Sequence, residues 1–155
     1  MKVLTIVALV LLVGVLFMVI RERSFDSLRS LRMTPIETKV TFPDGYQLMP
    51  LVADNAIAAK LGLSEQIEPA SMLFIFDSKT IGSIWMKGMH FSIDIIWLDG
   101  ETVVGFETDV QVEDPPVTIY RSPVPVDHVL EVPAGFVKAR NLGVGNQLDI
   151  ELGEE

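Results

Sequence analysis

The chain contains no cysteine and only two histidines, His90 and His128, among its 155 residues. The absence of cysteine excludes disulfides, thiolate metal sites, cysteine nucleophiles and lipidation at cysteine. The two histidines are 38 positions apart, which matches no metal-binding motif. The sequence also lacks a G-x-S-x-G elbow, a P-loop, a G-x-G-x-x-G loop and an H-E-x-x-H helix. It therefore predicts no metal, no cofactor and no catalytic residue.

Basic residues are scarce after Met33, where 7 Lys and Arg stand against 19 Asp and Glu, a net charge of −12. Binding to a phosphate backbone needs cations that neutralise it, so nucleic acid is not an expected partner. Acidity of this kind is typical of a well-solvated surface. The chain length allows one domain, and an apolar fraction of 49 % is sufficient to build its core.

One long uncharged segment is present, at residues 3–20. A helix of this length covers about 27 Å, close to the thickness of the hydrocarbon core of a bilayer. The segment has no polar face and ends in Arg21-Glu22-Arg23, without the small residues of a signal-peptide cleavage site. We expect residues 1–20 to form a single-pass membrane anchor, residues 21–35 a linker and residues 36–152 one β-rich domain.

Short strand-like segments separated by turn residues dominate the remainder of the chain. Alternation at 36–42 predicts a strand, Pro43-Asp44-Gly45 a turn and residues 46–53 the returning strand. Asp99-Gly100, between apolar runs at 93–98 and 102–108, predicts a hairpin with a type I′ turn. Further strands are expected at 72–76, 84–87, 117–120, 129–132 and 147–152.

Two short helices complete the expected elements. Residues 55–61 form the first, with Asp54 as its cap and Gly62 at its end. Residues 133–142 contain the second, ended by Gly143. The strands outnumber the helices and do not alternate with them. This pattern predicts a mostly β (α+β) fold, a compact antiparallel barrel or sandwich of about eight short strands with two short helices.

Several sequence blocks carry a resemblance to a known family: MLFIF at 72–76, WMKGM at 85–89, DIIWLD at 94–99, VLEVPAGF at 129–136 and GVG at 143–145. Together they resemble the domain-of-unknown-function family 192, also called uncharacterised protein family 0127, over residues 36–150. The resemblance implies a compact β-rich domain, commonly exported behind a signal peptide or an anchor in bacteria and archaea, with no established activity.

Three positions depart from the pattern of the family. Ala59 and Gln66 stand where members commonly carry arginine, and Ser71 stands where a glycine usually precedes the MLF triplet. If those arginines bind a ligand in relatives, this chain has lost that contact.

The side of the membrane is predicted differently by charge and by resemblance. Lys2 and the terminal amine precede the uncharged segment, and four arginines follow it: Arg21, Arg23, Arg29 and Arg32. The positive-inside rule then favours a cytoplasmic domain, whereas the resemblance implies export. We expect a membrane-anchored, single-pass protein with an extracytoplasmic domain.

Five residues are candidates for a ligand site: Trp85, Lys87, Met89, Asp94 and Glu131. In an extended segment the first three share one face, where a cation beside an aromatic ring and a thioether can bind an anionic or planar ligand. Packing is the alternative, with Lys87 paired to Asp94 or reaching solvent. Asp94 and Glu131 lie among apolar residues, where a carboxylate needs a partner, so a structural role competes with an acid–base role.

These features favour a non-enzymatic, membrane-tethered module of the cell envelope that binds a protein or a small ligand. One alternative is an enzyme of unknown reaction on cell-surface carbohydrate, which requires Lys87, Asp94 and Glu131 in one cleft. Another is a structural accessory subunit of a larger membrane complex.

Overall fold

The computed structural model describes residues 38–64 and 66–153. In chain order the elements are β1 (Lys39–Thr41), β2 (Gln47–Leu48), β3 (Leu51–Ala53), α1 (Ala56–Leu61), β4 (Met72–Thr80), β5 (Ser83–Trp85), β6 (Ile93–Asp99), β7 (Thr102–Val110), β8 (Ile119–Arg121), β9 (Val126–Pro133), α2 (Phe136–Ala139) and β10 (Asp149–Glu151). The expected anchor and linker lie outside the described residues. Within the described part, no helix has the length and apolar character needed to cross a bilayer.

Three sheets organise the strands. A central five-stranded sheet has the order β3-β4-β9-β6-β7, with β3 parallel to β4 and every other pair antiparallel. A three-stranded sheet, β10-β1-β2, and a two-stranded sheet, β5-β8, are both antiparallel. The mostly β prediction with two short helices is confirmed for the described residues. The barrel is wrong, because β3 and β7 are the two edges of the central sheet and do not pair with each other.

The central sheet has an apolar cluster on each face. Along β6, Ile93, Ile95 and Trp97 belong to one cluster, whereas Ile96 and Leu98 belong to the other. The first cluster includes residues of α1 and β5, and the second includes residues of β1 and α2. Burial on both faces explains why residues 93–98 form a nearly continuous apolar run instead of an alternating one.

The expected returning strand at 46–53 is divided at Pro50. Proline has no N–H to donate to a strand ladder, so pairing stops there. The first part, β2, pairs with β1, while the second part, β3, pairs in parallel with β4. One segment therefore contributes to two sheets, which the alternation pattern did not predict.

The helix ends differ in detail from the sequence expectations. At α1 the backbone N–H of Ala58 donates to Asn55 Oδ1 at 3.0 Å, so Asn55 is the cap in place of Asp54. Gly62 ends this helix with φ +53°, as expected. After α2 the left-handed residue is Asn141, at φ +48°, and not Gly143. Asparagine tolerates this conformation better than most non-glycine residues.

The β6–β7 hairpin forms as predicted, but with another turn. Asp99 pairs with Thr102, which leaves Gly100 and Glu101 as the central residues. Gly100 has φ +59°, whereas Glu101 has no positive φ. Glycine at the first central position with this pattern is the signature of a type II′ turn, so the type I′ prediction is wrong.

Trp97 belongs to the first apolar cluster and is 1 % exposed. Two glycines leave room for its ring. A Cβ on Gly82 would lie 2.9 Å from Trp97 Cζ3, and one on Gly105 would lie 3.4 Å from Trp97 Cδ1 and 2.9 Å from Pro123 Cγ. These distances are at or below the limit of ordinary contact, so both positions require glycine for packing.

Candidate functional site

A cavity of about 50 Å³ is lined by α1 and the turn after it, by β5 and the segment that follows, and by two residues of the central sheet, Phe74 and Glu131. Four of the five candidate residues line this cavity: Trp85, Lys87, Met89 and Glu131. Its volume accommodates a few water molecules, or one small functional group of a ligand.

Glu131 is the buried acid of this cavity. It lies on β9 with Met72 of β4 and Ile95 of β6 as its register partners, and it is only 4 % exposed. Its Oε2 atom has no hydrogen-bond partner among the described residues. Burial raises the pKa of Glu131 to about 8, because removal from water disfavours the charged form. At neutral pH the side chain is therefore a carboxylic acid, with one O–H donor and one free acceptor oxygen.

The segment after β5 presents Trp85 and Lys87 but not Met89 on its exposed side. The strand ends at Trp85, and the N–H of Met89 donates to the carbonyl of Met86 at 3.2 Å in a turn that contains Gly88 at φ +75°. The segment from 85 to 90 is therefore not extended throughout, and Met89 does not share a face with Trp85 and Lys87. Met89 is 7 % exposed and Trp85 is 44 % exposed, so the thioether lines the cavity from the protein interior.

Lys60 lines the cavity as well, and sequence reasoning did not include it among the candidates. It lies on α1, is exposed, and lines the cavity together with Lys87. Ala59, where the family resemblance led us to expect arginine, lines the cavity as well. No motif surrounds Lys60, and only the scarcity of basic residues after Met33 made it conspicuous. The described lining thus contains two cations and one buried acid in a domain that is otherwise strongly acidic.

Asp94 does not line this cavity. Its register partner on β9 is Val132, one position beyond Glu131, so its side chain points to the opposite face of the sheet. There Oδ1 accepts hydrogen bonds from the N–H groups of Asp109 at 2.8 Å and Gly135 at 3.1 Å. Oδ2 accepts one from Val137 at 2.8 Å. Asp94 therefore caps α2 and is bound by backbone N–H groups. Pairing with Lys87, one of the two alternatives for that lysine, does not occur.

The hydrogen bond from Asp109 depends on an irregularity in β7. Ile93 pairs with Val110 and Ile95 with Glu107, so two residues of β7, Thr108 and Asp109, stand opposite Asp94 alone. Such a bulge turns one N–H out of the ladder. Asp109 has φ +55°, and its freed N–H points to the Asp94 carboxylate. The buried charge is thus stabilised by the backbone and serves the fold.

The protein is a small, mostly β domain. Its open mixed sheet is covered on both faces, and a small cavity contains a buried acid. The model of the domain-of-unknown-function family DUF192, described as an uncharacterized ACR, matches residues 41–150. The chain belongs to this family, as the sequence blocks predicted.

Two solved structures share the fold. A protein of unknown function from Novosphingobium aromaticivorans DSM 12444 is 19 % identical, with a TM-score of 0.64 over 72 % of this chain and 82 % of that one. A protein from Sinorhizobium meliloti 1021, described as a candidate transcription regulator, is 24 % identical, with a TM-score of 0.64 over 73 % of this chain and 91 % of that one. Identities this low establish the fold alone. No curated protein matches the chain.

Proposed function

We propose that this domain is a non-enzymatic module that binds a small ligand in the Glu131 cavity. The observation that carries the proposal is Glu131, which lines a cavity beside Lys87 and Trp85 and whose buried Oε2 atom has no hydrogen-bond partner in the part of the chain that the structure describes. An unpaired polar group in the interior lowers stability, so a fold that retains one without a gain elsewhere is unusual. A strongly perturbed acid in a cavity is typical of a functional site.

The geometry supports recognition over catalysis. The enzyme alternative requires Lys87, Asp94 and Glu131 in one cleft, where all three can reach the same substrate. Asp94 faces the other side of the sheet, and both its oxygens are occupied by backbone donors. The single cleft with Lys87, Asp94 and Glu131 that the carbohydrate-enzyme alternative requires is therefore not formed.

We further propose that residues 3–20 hold this module at a membrane, with the domain on the extracytoplasmic side. The support for the anchor is the length and apolar character of that segment, which lies outside the described residues. The support for the extracytoplasmic side is the export behind a signal peptide or an anchor that the family resemblance implies. A reporter fused after Glu155 and active in only one compartment tests the orientation, and activity in the cytoplasm alone would contradict it.

A fragment titration of the full chain tests the ligand site. With the methionine methyl groups labelled with ¹³C, Met89 serves as an NMR probe inside the cavity. We expect at least one of a set of small neutral, cationic and anionic fragments to shift the Met89 signal in a saturable manner. Replacement of Glu131 by leucine removes the polar group at similar volume and should abolish that shift.

The matched control for this experiment is Lys138→Met. Lys138 lies on α2 and lines a separate groove on the other face of the sheet, together with Asp94. This variant should respond to fragments as the original chain does. If no fragment moves the Met89 signal, or if the Glu131→Leu variant responds unchanged, the cavity is not a ligand site.

A further inference from the structure

The Glu131 cavity is positively charged within an acidic domain. Among the described residues that line it, Lys60 and Lys87 carry the cations, and Glu131 is the one acid. Only 7 basic residues follow Met33, and two of them are brought together here from segments 27 positions apart. A small site of this charge attracts anions and repels cations, in contrast to the rest of the surface.

We infer that the group bound in this cavity is a carboxylate, held by the O–H of a protonated Glu131 and by the ammonium groups of Lys60 and Lys87. This inference rests on the proposed function. Burial, with no partner for Oε2 among residues 38–64 and 66–153, keeps the Glu131 carboxyl neutral until a ligand arrives, so the acid is available as a donor. A hydrogen bond from a carboxylic acid to a carboxylate is charge-assisted and short, which makes it stronger than a bond between two neutral groups.

Other ligand chemistries fit the same cavity less well. An ammonium ligand would require Glu131 to ionise while two lysines repel the incoming cation. A phosphate is tetrahedral and polar on every side, so it gains nothing from the apolar part of the lining. Phe74 and Met89 supply apolar lining, which suits the carbon atom to which a carboxylate is attached.

Binding of this kind is coupled to pH, because it requires the proton on Glu131. The groups around that carboxyl limit what else can titrate there: Met72 and Ile95 flank it on β4 and β6, and both are apolar. Lys60 on α1 and Lys87 after β5 are the charged residues that line the cavity, and Asp94 lies on the other face of β6. Since burial raises the pKa of Glu131 to about 8, carboxylate affinity should decrease above that pH.

Four small probes test the inference with the full chain: acetate, its neutral isostere acetamide, the cation methylammonium and inorganic phosphate. Each is followed through the Met89 methyl signal. At pH 6.5 we expect acetate to bind more tightly than the other three. At pH 9, one unit above the Glu131 pKa, acetate should bind about tenfold more weakly, because about one tenth of the molecules keep the proton. This comparison needs no variant, so it does not depend on the folding of a mutant.

Variants then assign the effect to residues. Glu131→Gln retains an N–H donor at the same place, so it should bind acetate at pH 6.5 and lose the dependence on pH. Lys87→Gln should weaken acetate binding at every pH, whereas Lys138→Gln should leave it unchanged. Preferential binding of phosphate, acetamide or methylammonium would overturn the inference while the proposed function stands. A chain that binds none of the four probes, and none of the wider fragment set, would overturn both.

Discussion

Asp94 and Glu131 lie on adjacent strands, one register position apart, and their carboxyl groups point to opposite faces of the same sheet. Asp94 accepts three backbone hydrogen bonds, whereas Oε2 of Glu131 has no partner among the described residues. The two acids occupy similar apolar sequence settings. Because its oxygens are already bound, Asp94 stabilises the fold, whereas the Glu131 carboxyl group can still accept or donate a hydrogen bond.

The stability of the protein should depend on pH through Glu131. Its pKa is about 8 in the folded chain, against an ordinary value of 4.5. Between these values the unfolded chain releases a proton that the folded chain retains. The Glu131 contribution to the free energy of unfolding therefore decreases as the pH rises from about 4.5 to about 8, and it is constant below and above that range. The total decrease in the free energy of unfolding across this range is about 5 kcal/mol.

Glu131→Gln removes this titration and leaves the surface acids unchanged. The difference between the variant and the original chain therefore reports the titration of Glu131 alone. The variant should match the original chain at pH 4.5 and exceed its free energy of unfolding by several kcal/mol at pH 8.5, about 3 or more. Urea unfolding followed by tryptophan fluorescence measures the difference. Parallel stability curves for the two proteins across this range would show that Glu131 ionises normally in the fold.

Asp94→Asn should destabilise the protein at neutral pH. Asparagine keeps one of the two side-chain oxygens and replaces the other with an NH₂ group, which cannot accept. At least one of the three N–H donors, those of Asp109, Gly135 and Val137, therefore loses its acceptor. An unsatisfied buried donor costs about 1–3 kcal/mol, and the loss of charge weakens the remaining bonds, so we expect about 2–4 kcal/mol. The exposed Asp149→Asn is the control, with an effect under about 0.5 kcal/mol.

Hydrogen exchange gives a second measurement for Asp94. The amides of Gly135 and Val137 should exchange faster in the Asp94→Asn variant, because α2 loses its cap. Unchanged exchange at both amides would mean that the carboxylate does not hold this helix.

Gly82→Ala and Gly105→Ala should each destabilise the core by about 1–3 kcal/mol, since the added methyl group meets Trp97 or Pro123 in a filled space. Gly143→Ala is the matched control. Its nearest neighbour, Asn146 Oδ1, would lie 3.9 Å from the new Cβ, and its φ is not positive. Thermal unfolding distinguishes the cases, and equal melting temperatures for all three variants would contradict the packing around Trp97.

Asn55→Ala should cost about 1 kcal/mol, because the side chain that accepts from Ala58 N–H is removed. Asp54→Ala tests the residue that the sequence suggested as the cap. Its carboxylate accepts from Asn55 Nδ2, and its loss should cost about 0.3 kcal/mol through the helix dipole. Comparison of their urea midpoints decides which residue caps α1. A larger loss at Asp54 would reverse the assignment.

Local sequence signals were sufficient for many elements of the fold. Alternation predicted a strand that contains β1, Asp-Gly located the β6–β7 hairpin, and Gly62 marked the end of α1. They were less reliable where two residues competed for one role, as at the α1 cap and at the residue after α2. Such choices depend on a few tenths of a kcal/mol to about 1 kcal/mol, which long-range packing easily exceeds.

The candidate site was predicted in part. The sequence grouped Trp85, Lys87, Met89 and Glu131, which line one cavity, but it added Asp94 and omitted Lys60. Composition and local pattern reveal that an acid lies in an apolar strand, but they do not reveal which face it occupies. That depends on register between strands distant in sequence, and a shift of one residue reverses every side chain.

The sequence by itself determined the family, the mostly β character and the position of most strands, because these follow from blocks of neighbouring residues and from hydrophobic alternation. Only the tertiary structure decided that the sheets stay open, that Pro50 divides one segment between two sheets, and that Asp94 and Glu131 face apart. The physical reason is that pairing and burial are properties of segments joined through space. No single stretch of chain contains both partners of such a contact.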